Sequence, residues 1–237
     1  MISMEMPEPS QQDLTLTPLD DDYRGVPPSP DAAEPLRRRV SVGGPVYRRV
    51  TVDTADDAEL RYFLDHEAAD SDFYALHLTC TLRPDADEPF IEALIELELA
   101  GDGFGRAPIA WSMQPDRLAD VVEVTRTVSL GPTLKLQGFG ADMKAERKQA
   151  AKRQQVFLEA MYELESTPSW GMYRTDAIEL RGLYRFHLVV RAPKDSIVTG
   201  TTSVEAKVRR RRFGVVPYRA GLTDVPEPIA FTLGKAP

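Results

Sequence analysis

The sequence predicts a mainly β protein, an antiparallel two-sheet β-sandwich. Apolar and polar residues alternate with a period of two in four long segments after residue 37. Glycine- and proline-containing turns separate these segments and several shorter ones. Nine or ten short strands without interleaved helices are typical of a sandwich and not of an α/β fold.

Residues 1–36 differ in composition from the rest of the chain. They carry eight acidic residues and one arginine, so they contribute −7 to a total charge of −8. They also contain seven of the nineteen prolines and few large apolar side chains. Such a segment buries too little surface to offset the entropy lost on ordering. We therefore expect a disordered acidic tail over 1–36 and a single, nearly neutral sandwich domain over 37–237.

The alternating pattern places the strands. It is clearest in residues 74–82, 91–99, 121–130 and 181–190, each with one apolar and one polar face, as in antiparallel sheets. Shorter candidates lie at 46–52, 108–113, 133–137, 203–210 and 228–233. These segments supply the strands of the predicted sandwich.

Two segments interrupt the strand pattern. Residues 55–65 have helical spacing of Leu60, Phe63 and Leu64 behind Thr54, which predicts a short helix capped by Thr54. Residues 141–165 contain strong helix formers, but their second half alternates again. We expect a helix or hairpin arm at 142–153 and a strand at 155–165, with one continuous helix as the alternative.

Aromatic and histidine side chains give further expectations. Trp111 alternates in phase with Ile109 and Met113, which predicts burial, whereas Trp170 lies between turn residues and suits either a core or an exposed position. His77 and His187 fall on the polar faces of predicted strands. Solvated imidazoles are the expectation there.

Several protein classes do not fit the sequence. Cys80 is the single cysteine, so no intrachain disulfide forms. The first residues, MISMEMPEPSQQD, lack the basic and apolar regions of a signal peptide. The most apolar run, FIEALIELELA, is too short and too acidic to span a bilayer. These features predict a cytoplasmic protein without a membrane span.

The sequence contains few features that are typical of a catalytic site. The chain has no GxSxG, P-loop, HExxH or CxxC motif, and no cofactor is expected. The run DHEAADSD offers weak candidates for a metal site, but an acidic loop after a helix is the favoured interpretation. The metal candidates are Asp65, His66, Glu67 and Asp70. Enzymatic activity is uncertain and not favoured, although distant residues can still assemble a hydrolase site.

Two basic segments are the strongest local signals. Basic side chains near aromatic ones suit a nucleic-acid backbone or an acidic partner. The candidate residues are Lys207, Arg209, Arg210, Arg211, Arg212 and Phe213 within 207–219, and Lys144, Arg147, Lys148 and Lys152 within 144–153. A regular strand would point alternate arginines to opposite faces. A solvated or salt-bridged face is the ordinary explanation of both runs.

The sequence thus favours a non-enzymatic β-sandwich that is an interaction or structural component of a larger protein assembly. Open sandwiches have edge strands that can pair with a protein partner or with another copy of the chain. The alternative is binding of nucleic acid or an acidic partner through the basic segments 144–153 and 207–219. A cryptic hydrolase is the second alternative.

Overall fold

The computed structural model describes residues 6–18, 35–54, 58–66, 70–102, 106–128, 147–210, 214–220 and 229–234. These residues form twelve strands and one short α-helix. The strands are β1 (Gln11–Pro18), β2 (Leu36–Val50), β3 (Ser71–Leu82), β4 (Phe90–Gly101), β5 (Ile109–Gln114), β6 (Arg117–Val128), β7 (Arg147–Met161), β8 (Ser169–Tyr173), β9 (Gly182–Pro193), β10 (Val198–Arg210), β11 (Gly214–Ala220) and β12 (Ile229–Leu233). The helix α1 spans Ala58–His66, after a 3-10 turn at Val52–Thr54.

The strands form two antiparallel sheets, which confirms the predicted mainly β sandwich. The first sheet has the order β5–β9–β3–β2–β1, and the second has the order β11–β10–β4–β8–β7–β6 with β12 beside β10. Strand β1 joins the two, because its first part pairs with β2 and its end, Thr17 and Pro18, pairs with β11.

The core lies between the inner faces of these sheets. Trp170 of β8 is fully buried, and its ring packs against Phe186 of β9 with 4.9 Å between the ring centroids. The Trp170 indole N–H donates a hydrogen bond to the Pro115 carbonyl oxygen at 3.1 Å. Of the two sequence interpretations of Trp170, the core position is therefore confirmed.

The predicted disorder of residues 1–36 is wrong for residues 11–18. They form β1, which pairs along Gln11–Leu16 with β2, and both Leu14 and Leu16 are buried in the core. Two leucines at a spacing of two lie on the same face of a strand. Strands β2 and β11 supply the backbone partners of β1. The acidic composition hid this short strand. Residues 19–34 lie outside the described part of the chain.

The predicted helix is confirmed over Ala58–His66, and residues 55–57 lie outside the described residues. The hydroxyl of Thr54, the predicted cap, accepts a hydrogen bond from the Thr51 backbone N–H within the preceding turn. Phe63 and Leu64 pack against Phe73 of β3, so α1 covers one end of the outer face of the first sheet.

Residues 147–161 form strand β7, so the hairpin-arm interpretation is confirmed there and the continuous helix is wrong. The predicted strand ends at Met161 and not at residue 165. Tyr162 and Leu164 both have positive φ angles, and the Leu164 N–H donates to the Ala110 carbonyl oxygen. Residues 133–137 and 141–146 lie outside the described residues.

Trp111 is not buried as the alternation predicted. The register of β5 against β9 shifts between Ala110 and Ser112. Such a bulge reverses the face on which following residues lie. Ala110 and Met113 are therefore buried, whereas Trp111 is 37% exposed and stacks on Phe63 of α1 with 6.1 Å between centroids.

Candidate interaction sites

Strands β6 and β7 form a two-stranded antiparallel ribbon. Their register runs from Arg117↔Glu159 to Val128↔Arg147. Only the base of the ribbon belongs to the larger sheet, because β7 pairs with β8 solely between Leu158 and Met161. Among the strands that the structure describes, the sheet order ends at β6, which is therefore an edge strand along its whole length.

A second contact fixes the ribbon just above its base. The Gln155 side-chain amide donates to an Asp176 carboxylate oxygen at 3.2 Å, and the Asp176 backbone N–H donates to the Gln155 amide oxygen at the same distance. Beyond Gln155, eight consecutive residue pairs join 121–128 to 147–154. At about 3.4 Å per residue this free ribbon extends roughly 25 Å. Among the described strands, these sixteen residues pair only with each other.

The register also shows where the ribbon projects. Lys207 of β10 pairs with Glu92 of β4, and Glu92 pairs with Tyr173, the last residue of β8. Because Leu158 pairs with Met172, the residues of β7 that precede Leu158 extend beyond the end of β8. The free ribbon therefore projects from the end of the second sheet at which β10 finishes with Arg209 and Arg210. The described residues of both basic segments, 147–153 and 207–210, therefore belong to strands that reach this end.

The described basic residues differ in environment. Lys207 forms an ion pair with Glu92 at 2.8 Å between Nζ and Oε2. Arg209 is exposed, and Val208 between them is fully buried, as a regular strand requires. Arg210, Arg147, Lys148 and Lys152 lie in strands β10 and β7. Lys144, Arg211, Arg212 and Phe213 lie outside the described residues.

Charge is unevenly distributed along the free ribbon. Residues 147–154 contain four basic residues and no acidic one, a net +4. Residues 121–128 contain Glu123 and Arg126 and are neutral. The register places Lys152 opposite Glu123. The β7 part of the free ribbon is thus strongly basic in sequence, and the β6 part is not.

Three of the four weak metal candidates lie in the described part of the chain, at or just after the end of α1. Asp65 and His66 are exposed at the end of α1, where the His66 ring stacks on Tyr62. Asp70 is exposed, and Glu67 lies outside the described residues. No group of three metal-binding side chains occurs among the residues that the structure describes.

Cys80 is fully buried in β3 on the core side of the first sheet. Burial raises the pKa of its thiol to about 12. The neutral thiol is a poor nucleophile and metal ligand. Cys80 therefore acts as a small apolar core residue.

The sequence did not indicate the contact between the two histidines of the first sheet. His77 and His187 are not two solvated imidazoles, because His77 is only 4% exposed and the two rings stack with centroids 4.6 Å apart. Both histidines lie in strands that were predicted correctly from the sequence. A single sequence does not indicate, however, which residues of two strands pair with each other. The covering of this face by residues outside β3 and β9 was equally invisible.

In the described parts of the chain, no helix is both long enough and apolar enough to cross a membrane. No protein-family model matches the sequence. The curated proteins contain no match either. Among solved structures, the chain is similar to the Clostridium perfringens NetB toxin in its membrane-inserted form, with 10% identity, a TM-score of 0.30, and coverage of 94% of this chain and 95% of the toxin chain. A likeness of this degree supports no functional inference.

Proposed function

We propose that the protein is a non-enzymatic structural component that assembles with further copies of itself by strand pairing along the β6–β7 ribbon. The observation that carries the proposal is the ribbon register, in which eight residue pairs extend beyond the sheet. An isolated two-stranded hairpin is marginally stable in water, and added strands stabilise it. Its two open edges present rows of backbone donors and acceptors for that purpose.

Strand direction favours a second copy as the occupant. When two copies lie side by side with their ribbons pointing the same way, β7 of one copy runs antiparallel to β6 of the next. That is the relationship the two strands already have within one chain. The pairing between copies repeats a hydrogen-bonding pattern that these strands already adopt.

The charge of β7 favours one order of strands between neighbouring copies. Pairing β7 with β7 would place one segment of charge +4 beside another, and opposed like charges destabilise a sheet. Pairing β7 with the neutral β6 of the next copy avoids this repulsion. The contact is then head-to-tail, and such contacts generate closed rings or open filaments. The basic residues of β7 thus oppose symmetric pairing and permit the sequential one.

A pair of shortened chains tests the proposal. In the ribbon-trimmed chain, an Asn-Gly turn replaces residues 123–152 and closes the hairpin at the Val122↔Arg153 pair. In the matched control, Asn-Gly replaces only 129–146 and closes it at Val128↔Arg147, so the ribbon remains. Light scattering gives the mass of each chain over a range of concentrations.

We expect the full chain and the control to exceed 26.4 kDa at high concentration and the ribbon-trimmed chain to stay monomeric. Circular dichroism establishes that the trimmed chain keeps its sheets. A monomeric full chain at all concentrations would overturn the proposal. So would undiminished assembly of the folded, ribbon-trimmed chain.

A second candidate function is supported by a separate observation. The described parts of the two basic segments belong to strands that reach the same end of the second sheet. An exposed Arg209 and the +4 segment of β7 suit a nucleic acid or another polyanion. Binding would weaken steeply with salt, and changing Lys148 and Lys152 to Glu would abolish it. Retention of polyanion binding by that double variant would exclude this candidate.

A further inference from the structure

The outer face of the second sheet carries five acidic side chains. Ile95, Trp170 and Met172 lie in the core, so the residues that alternate with them along β4 and β8 lie on the outer face. The same alternation applies to β7 and β10. The acidic residues of this face are Glu92, Glu96, Glu98, Glu159 and Glu205.

Three of these five carboxylates have a basic residue as a cross-strand partner. The pairs are Glu92–Lys207, Glu159–Arg117 and Glu205–Arg219. Glu96 differs, because its partners are Ser203 of β10 on one side and Ser169 of β8 on the other. Its charge is therefore not balanced by a basic residue in its own row of the sheet. Glu96 and Ser203 are both partly exposed, so a ligand can reach them from solvent.

The hydroxyl group of Ser169 has no hydrogen-bond partner. Ser169 is only 1% exposed, and its Oγ is buried. Buried polar atoms almost always have a partner, so an exception indicates a position where a further group binds. Ser169 is the cross-strand neighbour of Glu96 on the same face of the sheet. A hydrogen-bond donor bound at Glu96 would supply the partner that this hydroxyl lacks.

Apolar side chains lie beside these polar groups. Leu94 is two residues before Glu96 on the same face of β4, and Met161 of β7 is the cross-strand partner of Ser169. Both apolar side chains are half-buried. The row thus combines a carboxylate and two hydroxyl groups with a partly exposed apolar margin, which suits a ligand with a cationic head and an alkyl chain.

Tyr173 of β8 covers the position next to Ser169. A Cβ added to Gly171 would lie 2.5 Å from the Tyr173 hydroxyl oxygen, so the tyrosine side chain folds back along β8 toward Ser169. Burial and the negative charges of Glu159 and Glu92 raise the pKa of Tyr173, which keeps its hydroxyl neutral. A neutral tyrosine ring beside carboxylates is a favourable neighbour of a cation.

We propose that Glu96, Ser169 and Ser203 bind a primary alkylammonium group, which belongs either to a lysine side chain or to a free polyamine. An ammonium group has three N–H donors and no acceptor, and the row offers three acceptor side chains. The carboxylate balances the charge of the ammonium group, and Leu94 and Met161 supply apolar surface along which its alkyl chain lies. The site is outside the free ribbon and does not depend on the proposed assembly.

Calorimetric titration of the full chain in moderate salt tests the site. The two probes are N-acetyl-lysine methylamide and 1,5-diaminopentane, and we expect saturable binding of at least one. Tighter binding of the lysine derivative indicates a protein side chain as the natural ligand, and tighter binding of the diamine indicates a free polyamine. The absence of saturable binding for both probes would overturn the proposal.

A trimethylated probe separates hydrogen bonding from charge. Trimethyl-lysine keeps the positive charge but has no N–H donors on its side chain. Its N-acetyl methylamide should bind at least about tenfold more weakly than the lysine probe, because hydrogen bonds to charged groups contribute strongly to affinity. Equal binding of the two derivatives would exclude recognition through the three acceptors.

Two variants of β4 separate a specific site from general attraction to the face. Glu96→Gln removes the proposed carboxylate and should weaken binding by about tenfold or more. Glu98→Gln makes the same change of charge on the same face of the strand, where Thr201 is the cross-strand partner. It should weaken binding by less than about twofold. Equal losses in the two variants would overturn the site.

Ser169→Ala gives a second readout besides affinity. It removes an unpartnered buried hydroxyl, so the variant without ligand should be at least as stable as the unmodified chain in urea unfolding. The same variant should bind the ammonium probe about tenfold more weakly, because the buried acceptor is lost. Unchanged affinity in the folded Ser169→Ala variant would overturn the assignment of this hydroxyl to the site.

Discussion

The ring of Trp170 in the second sheet packs against the ring of Phe186 in the first, with their planes inclined by 44°. Both side chains are fully buried. Large aromatic residues contribute much of the apolar surface that a core removes from water. This contact therefore joins the two layers of the sandwich near its centre.

Replacing Trp170 by Ala should lower the free energy of unfolding by about 3–5 kcal/mol, because it leaves a cavity between the sheets. The matched control is Trp111→Ala, whose side chain is partly exposed on the outer face and whose loss should cost far less. Urea unfolding followed by circular dichroism measures both, since each substitution removes one of the two tryptophans and the fluorescence signals of the variants are not comparable. Equal costs for the two variants would contradict the assignment of Trp170 to the core.

Leu16→Ala should cost about 2–5 kcal/mol, since Leu16 is fully buried in β1. Gln12→Ala, at an exposed position of the same strand, should change stability by less than about 0.5 kcal/mol. Thermal and urea unfolding of the two variants distinguish a core strand from a loosely held tail. An unchanged stability of Leu16→Ala would return residues 11–18 to the disordered state that the sequence indicated.

Gly200 of β10 lies opposite Phe231 of β12, and a Cβ added to Gly200 would approach the Phe231 ring to 2.2 Å. Gly200→Ala should therefore destabilise the protein by about 1–3 kcal/mol through overpacking. Adding Phe231→Leu should recover part of this loss, because the smaller side chain makes room for the methyl group. A double variant whose cost equals the sum of the single costs would exclude direct contact.

Cys80 should be inert to alkylating reagents at pH 8 in the native protein. Burial raises the pKa of its thiol to about 12, and the reagent also has no access to it. Unfolding in urea should restore ordinary reactivity, which a thiol titration measures against the fully unfolded chain. Rapid native labelling would show that the first sheet opens around β3 far more often than its burial indicates.

The sequence was most informative where one face of a strand is buried and the other is wet. The alternation of Ile95, Leu97 and Leu99 with Glu96 and Glu98 predicts β4, because only a sheet places alternate residues on opposite faces. The same reasoning was misleading for Trp111, since a bulge reverses the alternation and is set by the partner strand. It was also misleading for β3, where His77 on the outer face is buried and α1 packs over Phe73 at one end of that face.

The candidate interaction sites were likewise predictable from the sequence only in part. The basic character of residues 147–153 and 207–210 is legible in the sequence, because charge is a property of composition. Their position at a common end of the second sheet is not, since it follows from three successive strand registers, β10 with β4, β4 with β8 and β8 with β7. The Gln155–Asp176 contact and the Glu8–Arg185 ion pair likewise join residues far apart in the chain.

The sequence by itself determined that this chain forms antiparallel sheets, because the period of its hydrophobic pattern is local and needs no knowledge of partners. It also determined the separation of an acidic N-terminal region from a nearly neutral remainder. Tertiary structure alone decided that part of that region, Leu14 and Leu16, enters the core. It likewise decided that β6 and β7 extend beyond the sheet and that His77 and His187 meet. These features depend on strand order and register, which arise from contacts between distant segments.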